Sequence, residues 1–293
     1  MDEQRGAAPQ SDAAGAEMSG LAAEPAAPEE QLEDTRWVLI LGASSGFGAG
    51  VAVALAEAGF HICGVHLDMR SRMAGVDEII RRIEATGRQV AFFNVNAADP
   101  EKRKLVLDAM ERRMGGDGFR VLLHSLAFGT LQPFVSPAPG ETLINQKQVD
   151  MTLDVMAHSL VYWTQDLVTR NLLRRGSRIL AMTSAGGSRV IPNYGAVSAA
   201  KAALESHIRQ LAMELAPRGI TANAILAGVT DTPALRRIPG NDKIVAAALS
   251  RNPSGRLTTP ADIARFIAMW AGPGSQWATG NVLQVDGGEE IIG

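Results

Sequence analysis

Trp37-Val-Leu-Ile-Leu41, then Gly42-Ala-Ser-Ser-Gly46-Phe-Gly48, then the small residues Ala49 to Ala58: this stretch decides the fold. Five apolar residues in unbroken succession fit a strand buried on both faces, as strands of parallel sheets are. The small-residue run fits a helix. Strand, glycine turn and helix together are the context a nucleotide-binding turn requires. Glycines let the backbone approach a pyrophosphate, and a helix N-terminus offers unpaired N–H groups and a favourable dipole. Gly42, Ser44, Ser45, Gly46, Phe47 and Gly48 are therefore the candidate phosphate-side residues.

The same alternation continues downstream. A second strand is expected at Phe60 to Leu67, a helix at Val76 to Ala85, a strand at Gln89 to Asn94, a helix at Glu101 to Met114 and a strand at Phe119 to Leu126. A long helix, Lys147 to Leu173, precedes strands at Arg178 to Met182 and Ile220 to Ile225, a helix at Ala261 to Trp270 and a last strand at Gly280 to Val285. This order predicts an α/β fold, a doubly wound parallel sheet of the Rossmann type in three α/β/α layers. The end of the second strand should meet an adenosine ribose. His66 stands where an acid is expected there, Asp68 lies two residues on, and Arg70 and Arg72 follow. An acid would bond a 2′-hydroxyl and arginines would pair a 2′-phosphate, so the sequence points both ways. Asn94-Val95, after the third strand, is placed to meet an adenine or simply to start a turn. Residues 227–259 form a long connection with apolar side chains of its own, as lids and binding loops do.

Composition bounds the rest. The chain has 293 residues and a net charge of −3. Residues 1–35 hold nine acids and one base, a charge of −8, so residues 36–293 carry +5. The first 35 residues have almost no large apolar side chains, so a disordered acidic tail is expected there, with one domain over 36–293. The lone Cys63 excludes an intramolecular disulfide and reads as a small core residue. No His/Cys cluster has metal-ligand spacing, no apolar run reaches membrane-spanning length, and nothing demands nucleic acid. A cytoplasmic protein is the default expectation.

A second stretch carries chemistry: Ser184-Ala-Gly-Gly-Ser188, Ile191-Pro-Asn-Tyr194 and Ala200-Lys201-Ala-Ala-Leu-Glu205. Pro192 suits a helix start and Asn193 a cap, which would place Tyr194 and Lys201 on one helix. Seven positions return to within about 20° and span roughly 10 Å, so both side chains face one way. An ammonium nearby would make the phenol more acidic and fit it to stabilise an oxyanion. A Tyr and a Lys seven apart are common by chance. The pair has weight here because the chain holds only two tyrosines, Tyr162 and Tyr194.

Residues 36–293 resemble a short-chain dehydrogenase/reductase, and within that superfamily the enoyl-acyl-carrier-protein reductase branch. The residues that carry this are Gly42-x3-Gly46-x-Gly48, His124-Ser-Leu-Ala-Phe128, Tyr194-x6-Lys201, Asn223-Ala-Ile-Leu-Ala-Gly228 and Asp286-Gly-Gly288. Ketoreductases of the superfamily use Tyr-x3-Lys, which would need a tyrosine at Val197. The wider spacing moves the phenol roughly 4.5 Å along the helix and about 60° around it, following a carbonyl oxygen two carbons from the hydride acceptor. The asparagine that holds a relay water in ketoreductases corresponds to Met156. Ser184 departs from many enoyl reductases and takes the place of the ketoreductase serine.

The resemblance implies NAD(P)H-dependent reduction of a trans-2-enoyl thioester, with a ketone or aldehyde reductase as the alternative and a catalytically silent nucleotide sensor as a third class. It implies Tyr194, Lys201 and Ser184 as catalytic residues. Ser125, Thr230, Thr232 and Lys201 would contact the cofactor, alongside Asp68, Arg70, Asn94 and Val95. Phe128, Met156, Leu235 and Ile238 would line an acyl channel. NADPH is the expected cofactor, with NADH possible. The acyl group is expected on an acidic carrier protein, met by Arg236, Arg237, Lys243, Arg251 and Arg256. A homotetramer is expected, with Leu160, Trp163 and Leu167 as an interface face.

Overall fold

The structure, a computed structural model, describes residues 36–135 and 140–292. The expected acidic tail lies outside the described residues. In chain order the elements are β1 (Trp37–Leu41), α1 (Gly46–Glu57), β2 (His61–His66), α2 (Met73–Glu84), β3 (Val90–Asn94), α3 (Pro100–Met114) and β4 (Phe119–His124). Then follow α4 (Gln146–Leu153), α5 (Ser159–Thr169), β5 (Arg178–Thr183), α6 (Gly195–Leu215), β6 (Thr221–Ala227), α7 (Asn241–Arg251), α8 (Pro260–Ala271) and β7 (Val282–Val285).

Seven parallel strands form one sheet in the order β3-β2-β1-β4-β5-β6-β7. Alternate residues of β1 enter opposite cores. Leu39 and Leu41 pack with Leu122, Ile179, Trp163 and Leu204 on one side. Val38 and Ile40 pack with Val121, Leu180, Val51 and Ile263 on the other. All five residues of β1 are buried, which is why its sequence is an unbroken apolar run. The three-layer expectation is met. Winding reverses between β1 and β4, whose ends Leu41 and His124 are register partners. Their main chains are stitched where the strands end, Ser125 N–H donating to Leu41 C=O at 2.8 Å. In open α/β sheets this reversal is where ligands bind. Cys63 is fully buried in β2, between Leu39 and Ala91 on the neighbouring strands. Among the described residues no helix is long and apolar enough to cross a membrane.

Four expectations are corrected. The long helix is broken: a π-helical turn, Asp154–His158, separates α4 from α5. Leu160, Trp163 and Leu167 are completely buried in the core, and Trp163 Nε1 donates to Ala97 C=O at 2.8 Å. That face therefore offers no interface, and the homotetramer keeps only the analogy with the family. Asn193 takes φ 60°, in the left-handed region, so α6 begins only at Gly195 and Tyr194 stands at its N-cap, outside the helix proper. Residues 227–259 prove to contain α7, invisible in the sequence because only Ala248 on it is buried.

Candidate active site

At the head of β1 the glycines are dictated by contact. A Cβ on Gly42, whose φ is 91°, would lie 2.4 Å from Ser125 C=O, and one on Gly48 would lie 2.0 Å from Gly42 C=O. Gly46, at φ 54°, faces the Thr232 methyl, 3.6 Å from where its Cβ would be. Ser45 at the N-cap makes no side-chain bond to α1, and Ser44 is only half-buried beside it. The first-turn N–H groups are thus left for an anion, which fits the pyrophosphate of a dinucleotide. Phe47 packs into the core beneath the turn. Thr232 Oγ1 accepts from Leu235 N–H at 3.2 Å, and Thr230 Oγ1 donates to Gly228 C=O at 3.0 Å, so both buried threonines also hold their own loop.

At the ribose end the acid and the histidine pair. His66 Nδ1 lies 3.0 Å from Asp68 Oδ2. The Asn94 side chain is engaged by the neighbouring strand end. Its Oδ1 accepts from Asp68 N–H at 3.0 Å and its Nδ2 donates to Asp68 C=O at 2.9 Å, clamping the end of β2 to β3. Val95 N–H donates to His66 C=O at 2.8 Å in the same clamp. Arg70 and Arg72 sit on an exposed 3₁₀ turn and pair with no acid among the described residues. The His66–Asp68 pair was legible, since residues two apart on an extended chain share a side.

Beyond β5, Ser184 and Tyr194 converge over Gly186, whose Cβ would lie 2.6 Å from the Tyr194 ring and 3.4 Å from Ser184 Oγ. That buried hydroxyl has no partner with hydrogen-bond geometry, although it is near enough to the phenol to pull its pKa down. Burial outweighs it, and the Tyr194 pKa is raised. This corrects the expectation of a phenol acidified by Lys201. The Lys201 ammonium is directed elsewhere, donating to Met182 C=O at 2.7 Å. Burial pushes the Lys201 pKa down to about 8, with Glu205 opposing. Glu205 in turn accepts from the Thr183 hydroxyl.

The sequence reading takes His124 only as part of a motif, with no role given to it, and misses Ser159. Ser159 Oγ donates to Val155 C=O at 2.8 Å, so at 2.9 Å it must accept from His124 Nε2–H. His124 is completely buried, and desolvation, then the Lys201 charge, pulls its pKa down to about 3. It is a neutral imidazole behind Lys201. Nothing in the linear chain relates positions 124 and 159. Met156, on the π-turn, is buried against Gly129, as is Val197 at the place of a ketoreductase tyrosine. A Cβ on Gly129 would come within 2.7 Å of Val197 and 3.2 Å of Met156 Sδ. Phe128 is half-exposed, Leu235 and Ile238 are partly exposed, and Phe134, which the sequence reading also passed over, lies against Gly195.

The basic cluster is largely spoken for. Arg236 is bidentate to Asp231, Arg256 to Asp262, and Arg251 lies 3.6 Å from Glu289. Arg237 and Lys243 alone of the five have no acidic partner among the described residues. No three His, Cys, Asp or Glu side chains converge as a metal site among those residues.

A glycine turn at the switch point, with a serine, a tyrosine and a buried lysine beyond β5, has the form of a short-chain dehydrogenase/reductase. The chain belongs to that superfamily, in the family described as enoyl-(acyl carrier protein) reductase, whose profile matches residues 42–290. It is therefore an oxidoreductase by family. Among its relatives is the 1-cyclohexenylcarbonyl-CoA reductase of Streptomyces collinus, 29% identical over 90% of this chain and 90% of that one. Another is the 3-oxoacyl-[acyl-carrier-protein] reductase of Vibrio cholerae, 28% identical over 87% of this chain and 97% of the relative. The NADH-dependent enoyl-[acyl-carrier-protein] reductase of Aquifex aeolicus superposes with a TM-score of 0.76 over 89% of this chain and 99% of its own, a likeness of fold at 24% identity.

Proposed function

We propose that the protein reduces a trans-2-enoyl thioester with a nicotinamide nucleotide. One observation carries this reading. Val197 fills the ketoreductase tyrosine position and is buried against Gly129, while the available phenol stands at the N-cap of α6, three residues earlier. A phenol set back this far suits a carbonyl oxygen remote from the carbon that accepts hydride.

The bound cofactor would supply the hydride, held by the glycine turn, Thr230, Thr232, Ser125 and Lys201. Tyr194, kept protonated by its raised pKa, would hydrogen-bond or protonate the oxygen that gains charge. Lys201 would add its charge nearby, and Ser184 would orient the phenol. NADPH is favoured because Arg70 and Arg72 are unpaired among the described residues while the carboxylate of Asp68 is held by His66. The acyl group would arrive on an acidic carrier, met by Arg237 and Lys243.

A ketone or aldehyde reductase is the second reading, favoured by Ser184 beside the phenol. Assaying crotonyl and acetoacetyl thioesters side by side with NADPH and NADH decides between them. The expected result is enoyl turnover, faster with NADPH. Acetoacetyl reduction without enoyl turnover would transfer the assignment to the second reading.

A further inference from the structure

Helix α7 is held to the domain chiefly at one end. Ala248 is its one fully buried residue, and Gly240 at its N-cap, in the left-handed region, gives no side-chain cap. At its N-terminus the Asn241 amide donates only back to the preceding turn, to Ile238 C=O at 3.0 Å and Arg236 C=O at 3.5 Å, and the polar attachments to the rest of the domain lie at its C-terminus. Arg251 Nη2 is 3.6 Å from Glu289 Oε1, and Asn252 Nδ2 donates to Asp286 C=O at 2.9 Å. Both lead to the turn that follows β7.

The same turn grips two other segments. Glu289 Oε2 accepts from Val229 N–H at 2.9 Å, directly before Thr230, and a Cβ on Gly228 would lie 3.0 Å from that oxygen. Glu290 Oε2 lies 2.8 Å from Arg189 Nη2, on the loop that carries Ser184. Asp286 shapes the turn by accepting from Gly288 N–H at 2.9 Å and Glu290 N–H at 2.8 Å. Glu289 is only 2% exposed. A carboxylate taken this far from water is costly unless it is paired, and here Oε2 has the Val229 hydrogen bond while Oε1 has the longer ion pair with Arg251.

We propose that Glu289 is a positioning residue: it sets the Gly228–Thr232 loop through Val229 and fixes the hinge of α7 through Arg251. The inference rests on the reductase reading for its kinetic consequence, but its structural claim stands alone. One carboxylate joins the loop expected to meet the cofactor to α7, the helix within the 227–259 connection, so loosening it frees both.

The test uses Glu289→Gln, which keeps an oxygen for Val229 N–H and removes the charge from Arg251, and Arg251→Gln, which removes the pair from the less buried side. Amide exchange of the cofactor-free protein over residues 241–251 is measured for each, with kcat and KM for crotonyl thioester. The expected result is roughly tenfold faster exchange over 241–251 in both variants. KM should rise several-fold with kcat changing less, and the double variant should be no worse than the more affected single one. Unchanged exchange over 241–251 in both variants, or effects that simply add in the double variant, would overturn the proposal. If the unmodified protein reduces no enoyl thioester, the reductase reading fails, while the exchange comparison still decides whether Glu289 holds the hinge.

Discussion

Lys201 is a charge held where charge is disfavoured. Its pKa falls from 10.5 to about 8 on folding, so between those values the unfolded chain binds the extra proton. Stability from this group must therefore rise as pH climbs from about 8 to 10.5, and the penalty is fully present below that window. Lys201→Met should stabilise the cofactor-free protein by on the order of 1–3 kcal/mol and abolish turnover, which thermal melts and assays at pH 7 will check. Reduction should also decline as pH rises past about 8, because the ammonium is lost while the phenol stays protonated. Tyr194→Phe should cost about 10²–10⁴ in kcat and leave nucleotide affinity within a few-fold, measurable by titration against turnover. The Tyr–Lys spacing was legible as a motif, although Tyr194 proves to stand at the N-cap of α6, one position before the helical period begins. The direction of the tyrosine shift was not, because it depends on how much water each side chain loses.

Among the elements, those whose burial repeats along the chain were the readable ones. The five buried residues of β1 and the glycine turn after it could be recognised because each position has a local cause. Helix α7 could not, since one buried alanine leaves no period to detect. The π-turn after α4 has no residue signature, and Pro192 misled because Asn193 turns left-handed before the helix can start. Gly48→Ala should show how tight the phosphate turn is. With 2.0 Å to Gly42 C=O the turn must open, so nucleotide binding should be lost and stability reduced by about 1–3 kcal/mol, read by calorimetry and denaturant melts.

At the scale of the molecule, burial decides which surfaces are surfaces. Trp163 has the apolar neighbours of an interface helix in sequence, yet the fold consumes it. Trp163→Ala should cost about 3–5 kcal/mol in denaturant melts. Its association state by sedimentation should not change. The charge prediction is narrower than the sequence implied. Reversing Arg237 and Lys243 to Glu should raise KM for carrier-bound substrate more than for a small thioester, whereas reversing Arg256 should first loosen the N-terminus of α8 through Asp262. Equal effects of the Arg237 and Lys243 changes on both substrates would end the carrier proposal.

The single sulfhydryl gives the sheet a clock of its own. Cys63 has no contact with solvent and burial raises its pKa, so a thiol reagent can react only when the layer packed on its face of the sheet, which includes Val106, Leu107 and Met110 of α3, opens away from β2. Labelling is then silent in the closed molecule and proceeds at a rate set by how often that layer opens. Saturating dinucleotide, which would bridge the ends of β1 and β2, should slow the clock in proportion to its occupancy. Binding strength could thus be timed by a colour reaction, on a protein whose substrate need never be supplied.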